Sequence, residues 1–254
     1  MKNQKKAHPF SAALLIVLLA GLGACATPAN KNPQDPLEGF NRAMYSVNQG
    51  IDFVVKPVAQ GYDAILPAPV KTGVGNFFSN IADLWIAVNN LLQGKGSDGI
   101  SDIGRFLVNS TIGIVGLFDV ASDLNLPKHS GDFGQTLGVW GVGEGVYLYL
   151  PIIGPRTARD TIGFGVDAFV DPVRYVDNIP VRNSLLGLRF LDKRARLFPA
   201  EKVLEQAAFD KYSYLRDAYL QNRRNAVRGD KFSEGSAVPE TLDDPCKAGS
   251  GACN

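Results

Sequence analysis

The sequence predicts a mainly α-helical protein with little or no β-structure. Three observations carry that expectation. Apolar residues recur every three or four positions in Leu37–Ile51, Val70–Leu92 and Leu204–Tyr219, the spacing of a helical face. Helix starts and stops stand where those patterns begin and end: Asp35-Pro36, Pro69, Gly94, Pro199 and Gly229. Strand-like runs are few and short, the clearest being Val146-Tyr147-Leu148-Tyr149-Leu150. No internal repeat is present.

The first element, residues 1–24, reads as a secretion signal. Lys2, Lys5 and Lys6 form a cationic head, Ala12 to Leu22 an apolar run, and Leu22-Gly23-Ala24-Cys25 a small-residue cleavage site. The run is too short to span a bilayer, which takes ~20 apolar residues. Leu-Gly-Ala-Cys resembles the bacterial lipobox, so Cys25 is the expected lipidation site and first residue of the mature chain; a soluble secreted protein with a chance cysteine is the alternative. Lipid chains contributing about 0.8 kcal/mol per buried methylene would hold it firmly if two or more are attached. Ala26, where an Asp would mark retention at the inner membrane, leans toward the outer one. Residues 25–34 are a polar tether.

The body, residues 35–228, opens on a helix that Asp35 caps and Pro57 stops. The second helix, Pro69 to Gln93, carries a wide apolar stripe, and Phe77, Phe78, Ile81, Trp85 and Val88 on it are candidates to face lipid tails. Ser97 to Val108 is a short helix. Ile112-Gly113-Ile114-Val115-Gly116-Leu117-Phe118 could be a buried strand, a close-packed helix or a hairpin in lipid. Gly154-Pro155 opens a helix near Arg156 that runs to Val170, Ser184 to Leu197 is amphipathic, and a last helix spans Pro199 to Val227. The tail, 229–254, is rich in Gly, Ser, Pro and acids and is expected to be disordered. Within it Cys246 and Cys253 form a candidate disulfide, suited to an oxidising compartment.

Composition and motifs exclude several function classes. The net charge is +1, and losing the three signal lysines takes it to about −2, without the cationic excess of a nucleic-acid binder. After the signal only His129 remains, read as a solvated loop residue; no zinc site of usual ligand spacing and no Gly-x-Ser-x-Gly elbow is present. Gly163-Phe164-Gly165 lacks the strand and acidic partner of a dinucleotide loop. Asp167 and Asp171 suit a cap and an ion pair. Neither a catalytic residue, a metal nor a cofactor is implied. Arg156 and Arg159, expected in the first turn of a helix, are candidates for a transient phosphate contact; an ion pair with Asp160 or Asp167 is the competing reading. Arg189, Lys193, Arg194 and Arg196, among apolar neighbours, suit either an interfacial helix over acidic headgroups or a solvated face.

Asp35-Pro36-Leu37-Glu38-Gly39-Phe40-Asn41-Arg42 with Met44-Tyr45 resembles the opening motif of the MlaA (VacJ) outer-membrane lipoproteins. Asp132-Phe133-Gly134-Gln135-Thr136-Leu137-Gly138, Gly141-Val142-Gly143 and Leu150-Pro151-Ile152-Ile153-Gly154-Pro155 with Arg159-Asp160 resemble its second block. The resemblance implies a ring-like arrangement of amphipathic helices around a central channel, anchored in the periplasmic leaflet of the outer membrane. It implies removal of mislocalised phospholipids from the outer leaflet, with a trimeric porin and a periplasmic phospholipid carrier as partners. It also implies that the helix after the first motif helps gate the passage, so Asn41, Arg42, Asn48 and Gln49 are candidate channel residues; Arg42 could instead pair with Glu38. A lipid-modifying enzyme and a non-transporting structural envelope lipoprotein are the rival readings.

Overall fold

The computed structural model describes residues 32–229. Cys25, Cys246, Cys253, the signal and the tail lie outside the described residues. In order come α1 Glu38–Ile65, α2 Ala68–Leu92, α3 Gly96–Thr111, a short α4 Val120–Asp123 and α5 Phe133–Val139. Strands β1 Tyr147–Leu150 and β2 Gly154–Thr157 follow, then α6 Ala158–Val170, a 3-10 turn at Pro172–Tyr175, α7 Ile179–Arg196, α8 Phe198–Ala207 and α9 Lys211–Arg228. The strands form one antiparallel hairpin, with Tyr147 opposite Thr157 and Leu150 opposite Gly154.

The contacts between elements close on themselves. Helix α1 packs on α7, α7 on α2, α2 on α5, and α5 on α6 and α9; both of these reach β2, and β1 returns to α1. The contacts thus join the mainly helical elements in a closed circuit, with α3 lying along α2.

Several boundaries differ from expectation, each for a local reason. Asp35 does not cap α1, whose first turn has no side-chain cap; the carboxylate turns inward instead. Helix α1 runs through Pro57. The carbonyl that Pro57 cannot serve belongs to Phe53, which is 83% exposed, so water can satisfy it. Residues 112–118 are neither strand nor helix but a tight turn, with positive φ at Ile114, Val115 and Gly116. Gly116 is required there, because a Cβ would lie 2.6 Å from the Asn80 side chain. Gly154–Thr157 is a strand, and α6 starts only where the Thr157 hydroxyl accepts from Asp160 N. The last helix is two: Asp210 accepts from Tyr212 N and Ser213 N, ending one helix and starting α9.

The polarity of the packing is inverted. Among the described residues, buried polar and charged side chains outnumber buried apolar ones. On α2 the buried residues are Phe78, Asn80, Asp83, Ala87, Asn89 and Asn90, four of the six polar, with Gln93 buried just past its end, while Leu84, Val88, Leu91 and Leu92 are exposed. A buried amide left unbonded costs about 1–3 kcal/mol, and the matching here is partial, since the side-chain oxygens of Asn80, Asn90 and Gln93 have no hydrogen-bond partner among the described residues. Asn90 donates to Asp102 at 2.7 Å, Thr136 to Asn89 at 2.8 Å and Gln93 to Thr136 at 3.0 Å. Lys128 pairs with Asp83, whose carboxyl burial nevertheless pushes up. The apolar core is a small tyrosine-rich cluster of Met44, Tyr147, Tyr149, Tyr212 and Leu220. Among the described residues no helix is long and apolar enough to cross a membrane.

Candidate functional site

The two sequence motifs dock on each other. Asn41, fully buried, donates through Nδ2 to Asp35 Oδ1 (2.8 Å) and Tyr147 O (3.0 Å), and its Oδ1 accepts from Tyr149 N (2.8 Å). Seven residues on, and so on the same face of α1, Asn48 donates to Leu150 O at 3.0 Å and accepts from Ile152 N at 2.6 Å. Both amides are thus committed to the backbone of the hairpin. Asp35 also accepts from the Tyr212 hydroxyl, tying the entrance of the body to α9. Arg42 pairs with Glu38 at 2.7 Å and with Asp210 at 2.5 Å, which favours its ion-pair reading. Gln49 is exposed.

The second motif builds a buried charge cluster. Asp132 caps α5 by accepting from Gln135 N and binds the Arg223 guanidinium at 2.6 Å. Arg223 also holds Asp160 at 2.8 Å, and Arg159 donates to the same carboxylate at 3.1 Å. Burial would raise the Asp160 pKa, but Arg223, Tyr219 and Arg159 outweigh it and hold it at about 2. Arg159 is therefore a member of this cluster, buried and in the competing ion pair. A Cβ on Gly163 would sit 2.2 Å from Gly134 N, so these two glycines let α5 and α6 touch.

The basic stretch of α7 resolves unevenly. Arg189 pairs with Asp171, Arg194 with Asp52 and Glu201, and Arg196 with Asp192. Lys193 forms no ion pair among the described residues. Lys193 is exposed, yet desolvation of part of the side chain, with the charges of Arg189 and Arg156, lowers its pKa against the opposing pull of Asp171 and Asp192. Arg156, on β2 rather than in a helix, lies over the Phe164 ring at 5.0 Å, and its buried Nε has no partner. Its charge also bears on Asp167 of α6 and Tyr219 of α9. Elements from separate parts of the circuit thus share one charged region around Lys193 and Arg156. The sequence singled out Arg156, but missed that Lys193 alone of its stretch is unpaired; nothing in the spacing distinguishes it.

The expected lipid-facing set divides. Val88 is exposed, and Phe77 and Ile81 are half-buried. Phe78 is 7% exposed beneath the Arg189 guanidinium, so it does not face outward, while Trp85 is half-buried and donates its Nε1 to Asp167 at 2.7 Å. Leu84, Leu91 and Leu92 continue the outward stripe. His129 is no solvated loop residue: Nδ1 lies 3.0 Å from Asp102, and Nε2 3.5 Å from Asp98. Asp171 caps the 3-10 turn before Pro172 as well as pairing with Arg189.

With polar side chains buried and a broad apolar stripe exposed on α2, the fold suits a protein in contact with apolar surroundings. The family model for the MlaA lipoprotein matches residues 33–226, and the chain belongs to that family. It is 35% identical over 223 residues to the intermembrane phospholipid transport system lipoprotein MlaA of Escherichia coli (strain K12), covering 85% of this chain and 87% of that one. The protein of the same name from Haemophilus influenzae is 32% identical over 215 residues, covering 82% and 85%. A solved structure described as "Structural basis for maintenance of bacterial outer membrane lipid asymmetry" superposes with TM-score 0.66 at 32% identity, covering 76% of this chain and 98% of that chain.

Proposed function

We propose that the chain is an outer-membrane lipoprotein that withdraws mislocalised phospholipid from the outer leaflet and passes it toward the periplasm. The observations that support this most are the exposed apolar stripe of α2 and the cations Lys193 and Arg156, which form no ion pair among the described residues. Moving a lipid between leaflets breaks no covalent bond; the barrier is taking a charged headgroup through hydrocarbon. Those two cations offer the phosphate contacts in place of water while the acyl chains keep apolar surroundings. Arg42, Asn41 and Asn48 act in this reading by fixing the hairpin and α1, not by touching lipid. Lipid on Cys25 holds the body to the periplasmic leaflet, a trimeric porin is its neighbour in the membrane, and a periplasmic carrier takes the lipid away.

A deletion strain tests the reading. Loss of the gene should raise outer-leaflet phospholipid and detergent sensitivity, and the full chain should restore both. Cys25→Ala should lose labelling by a clickable fatty acid and fail to restore. Unchanged surface phospholipid in the deletion strain would favour the purely structural role instead.

A further inference from the structure

Residues 124–132, between α4 and α5, form a strap without helix or strand that runs over the buried polar side of α2 and α3. Three side chains fasten it there. Arg105 of α3 donates Nη1 to Leu126 O, Lys128 pairs with Asp83 of α2, and His129 stands between Asp102 and Asp98 of α3. Gly131 then passes so close to α2 that a Cβ would lie 3.2 Å from Asn90 Oδ1. One residue later Asp132 caps α5 and binds Arg223. The strap thus joins the α2–α3 pair to the charge cluster of α5, α6 and α9.

Both ring nitrogens of His129 face a carboxylate. Nδ1 lies 3.0 Å from Oδ1 of the fully buried Asp102, whose other oxygen accepts from Asn90 at 2.7 Å, and Nε2 lies 3.5 Å from Oδ1 of the part-exposed Asp98. A neutral imidazole has one N–H and one lone pair, so in either tautomer one nitrogen turns its lone pair toward a carboxylate oxygen; only the imidazolium donates to both. The surrounding charges favour the same form. Helix α3 supplies Asp98, Asp102 and Arg105, α2 supplies Asp83, the cap of α4 is Asp119, and the strap adds Lys128. Those are four carboxylates against two cations, and a proton on the ring reduces the deficit. Histidine is the side chain whose ordinary titration falls between pH 5 and 8, whereas lysine and arginine keep their charge across that range.

We propose that His129 is a pH-sensitive latch on this strap, closed as the imidazolium between Asp98 and Asp102 and half released as the neutral ring. On losing its proton the ring keeps the buried Asp102 contact through Nδ1–H, and Asp98, which water reaches, lets go. The fastening is therefore complete at the acid end of the histidine range and is lost as pH rises through it. Release loosens the strap and the start of α5 while Lys128 and Arg105 keep it from coming away. The latch thus sets how firmly the α2–α3 pair is held to the cluster around Asp132, Asp160 and Arg223.

The test is hydrogen exchange by mass spectrometry on the full chain in dodecyl maltoside at pH 5.5 and 8.0, with exchange times scaled for the intrinsic effect of pH. Peptides covering the strap and the start of α5 should exchange at least about fivefold faster at pH 8.0, while peptides from the middle of α9 should change by less than about twofold. In His129→Gln the strap should differ by less than about twofold between the two conditions, and Asp98→Asn should keep less than half of the wild-type effect. Equal protection of the wild-type strap at both pH values would overturn the proposal. So would the full pH effect persisting in His129→Gln, which would assign the response to another group such as the buried Asp83. A second measurement serves if His129→Gln does not fold. His8 and His129 are the two histidines of the chain, so in His8→Gln the ring protons of His129 give a single signal by nuclear magnetic resonance. Its titration midpoint and that of strap exchange should coincide; midpoints more than about one pH unit apart would sink the latch.

Discussion

Asn41 shows how much a single side chain carries in this fold. Both amide protons and the carbonyl oxygen are used, two of the three bonds going to β1 backbone 106 and 108 residues away. Asn41→Leu should therefore strand backbone groups and lower stability by at least about 2 kcal/mol, read as a fall in melting temperature and abundance. That an amide in the first motif matters was legible from its chemistry, and the spacing of Asn41 and Asn48 put them on one face. Their target was not legible, because spacing along one helix says nothing about a hairpin a hundred positions on. Asp160 makes a second prediction. Its pKa is held at about 2, as is that of Asp119, below the usual ~3.9. Their stabilisation is complete above about pH 4 and is lost as pH falls toward 2, so the melting temperature should drop across that window. Asp160→Asn should cost on the order of 3–5 kcal/mol at neutral pH, because it leaves Arg223 and Arg159 undermatched, and should flatten the acid decline.

At the scale of the element, α2 is the most instructive. Its periodicity was readable, and its predicted span differs from Ala68–Leu92 by one residue at each end. Which face lies inside was not readable, since periodicity marks a stripe without saying what covers it. Spacing alone puts Phe78 on the same apolar stripe as Val88, and only the structure separates the buried Phe78 from the exposed Val88. Leu84→Lys and Val88→Lys, on the exposed stripe, should leave the stability in detergent within about 0.5 kcal/mol of wild type. They should nonetheless reduce retention on membranes washed with carbonate. Phe78→Asp should unfold the chain in detergent as well, by burying an unpaired carboxylate. Equal behaviour of the three variants in both assays would remove the distinction between the two faces. Pro57 and Asp210 are the complementary lesson: proline stops a helix only where its lost bond is unaffordable, and an aspartate can divide a helix that its apolar pattern runs straight through.

For the whole molecule, composition and periodicity gave helices but not their closure; the ring was implied only by the likeness of the two motif blocks to a known family. The proposed passage yields one more prediction. Lys193→Met removes an exposed cation that Arg189 and Arg156 repel and Asp171 and Asp192 attract, so the variant should be about as stable as wild type. It should also leave phospholipid in the outer leaflet when it replaces the wild-type gene; full restoration would exclude Lys193 from the passage. The clasp of Asp35 on Tyr212, 177 positions apart, has a consequence for how the chain comes into being. Neither the first helix nor the hairpin has its final partners until α9 has been made, and topologies dominated by such distant pairings fold slowly. Synthesis halted anywhere before Tyr212 would give no smaller version of the closed circuit, only an open arc whose polar side chains lack their partners.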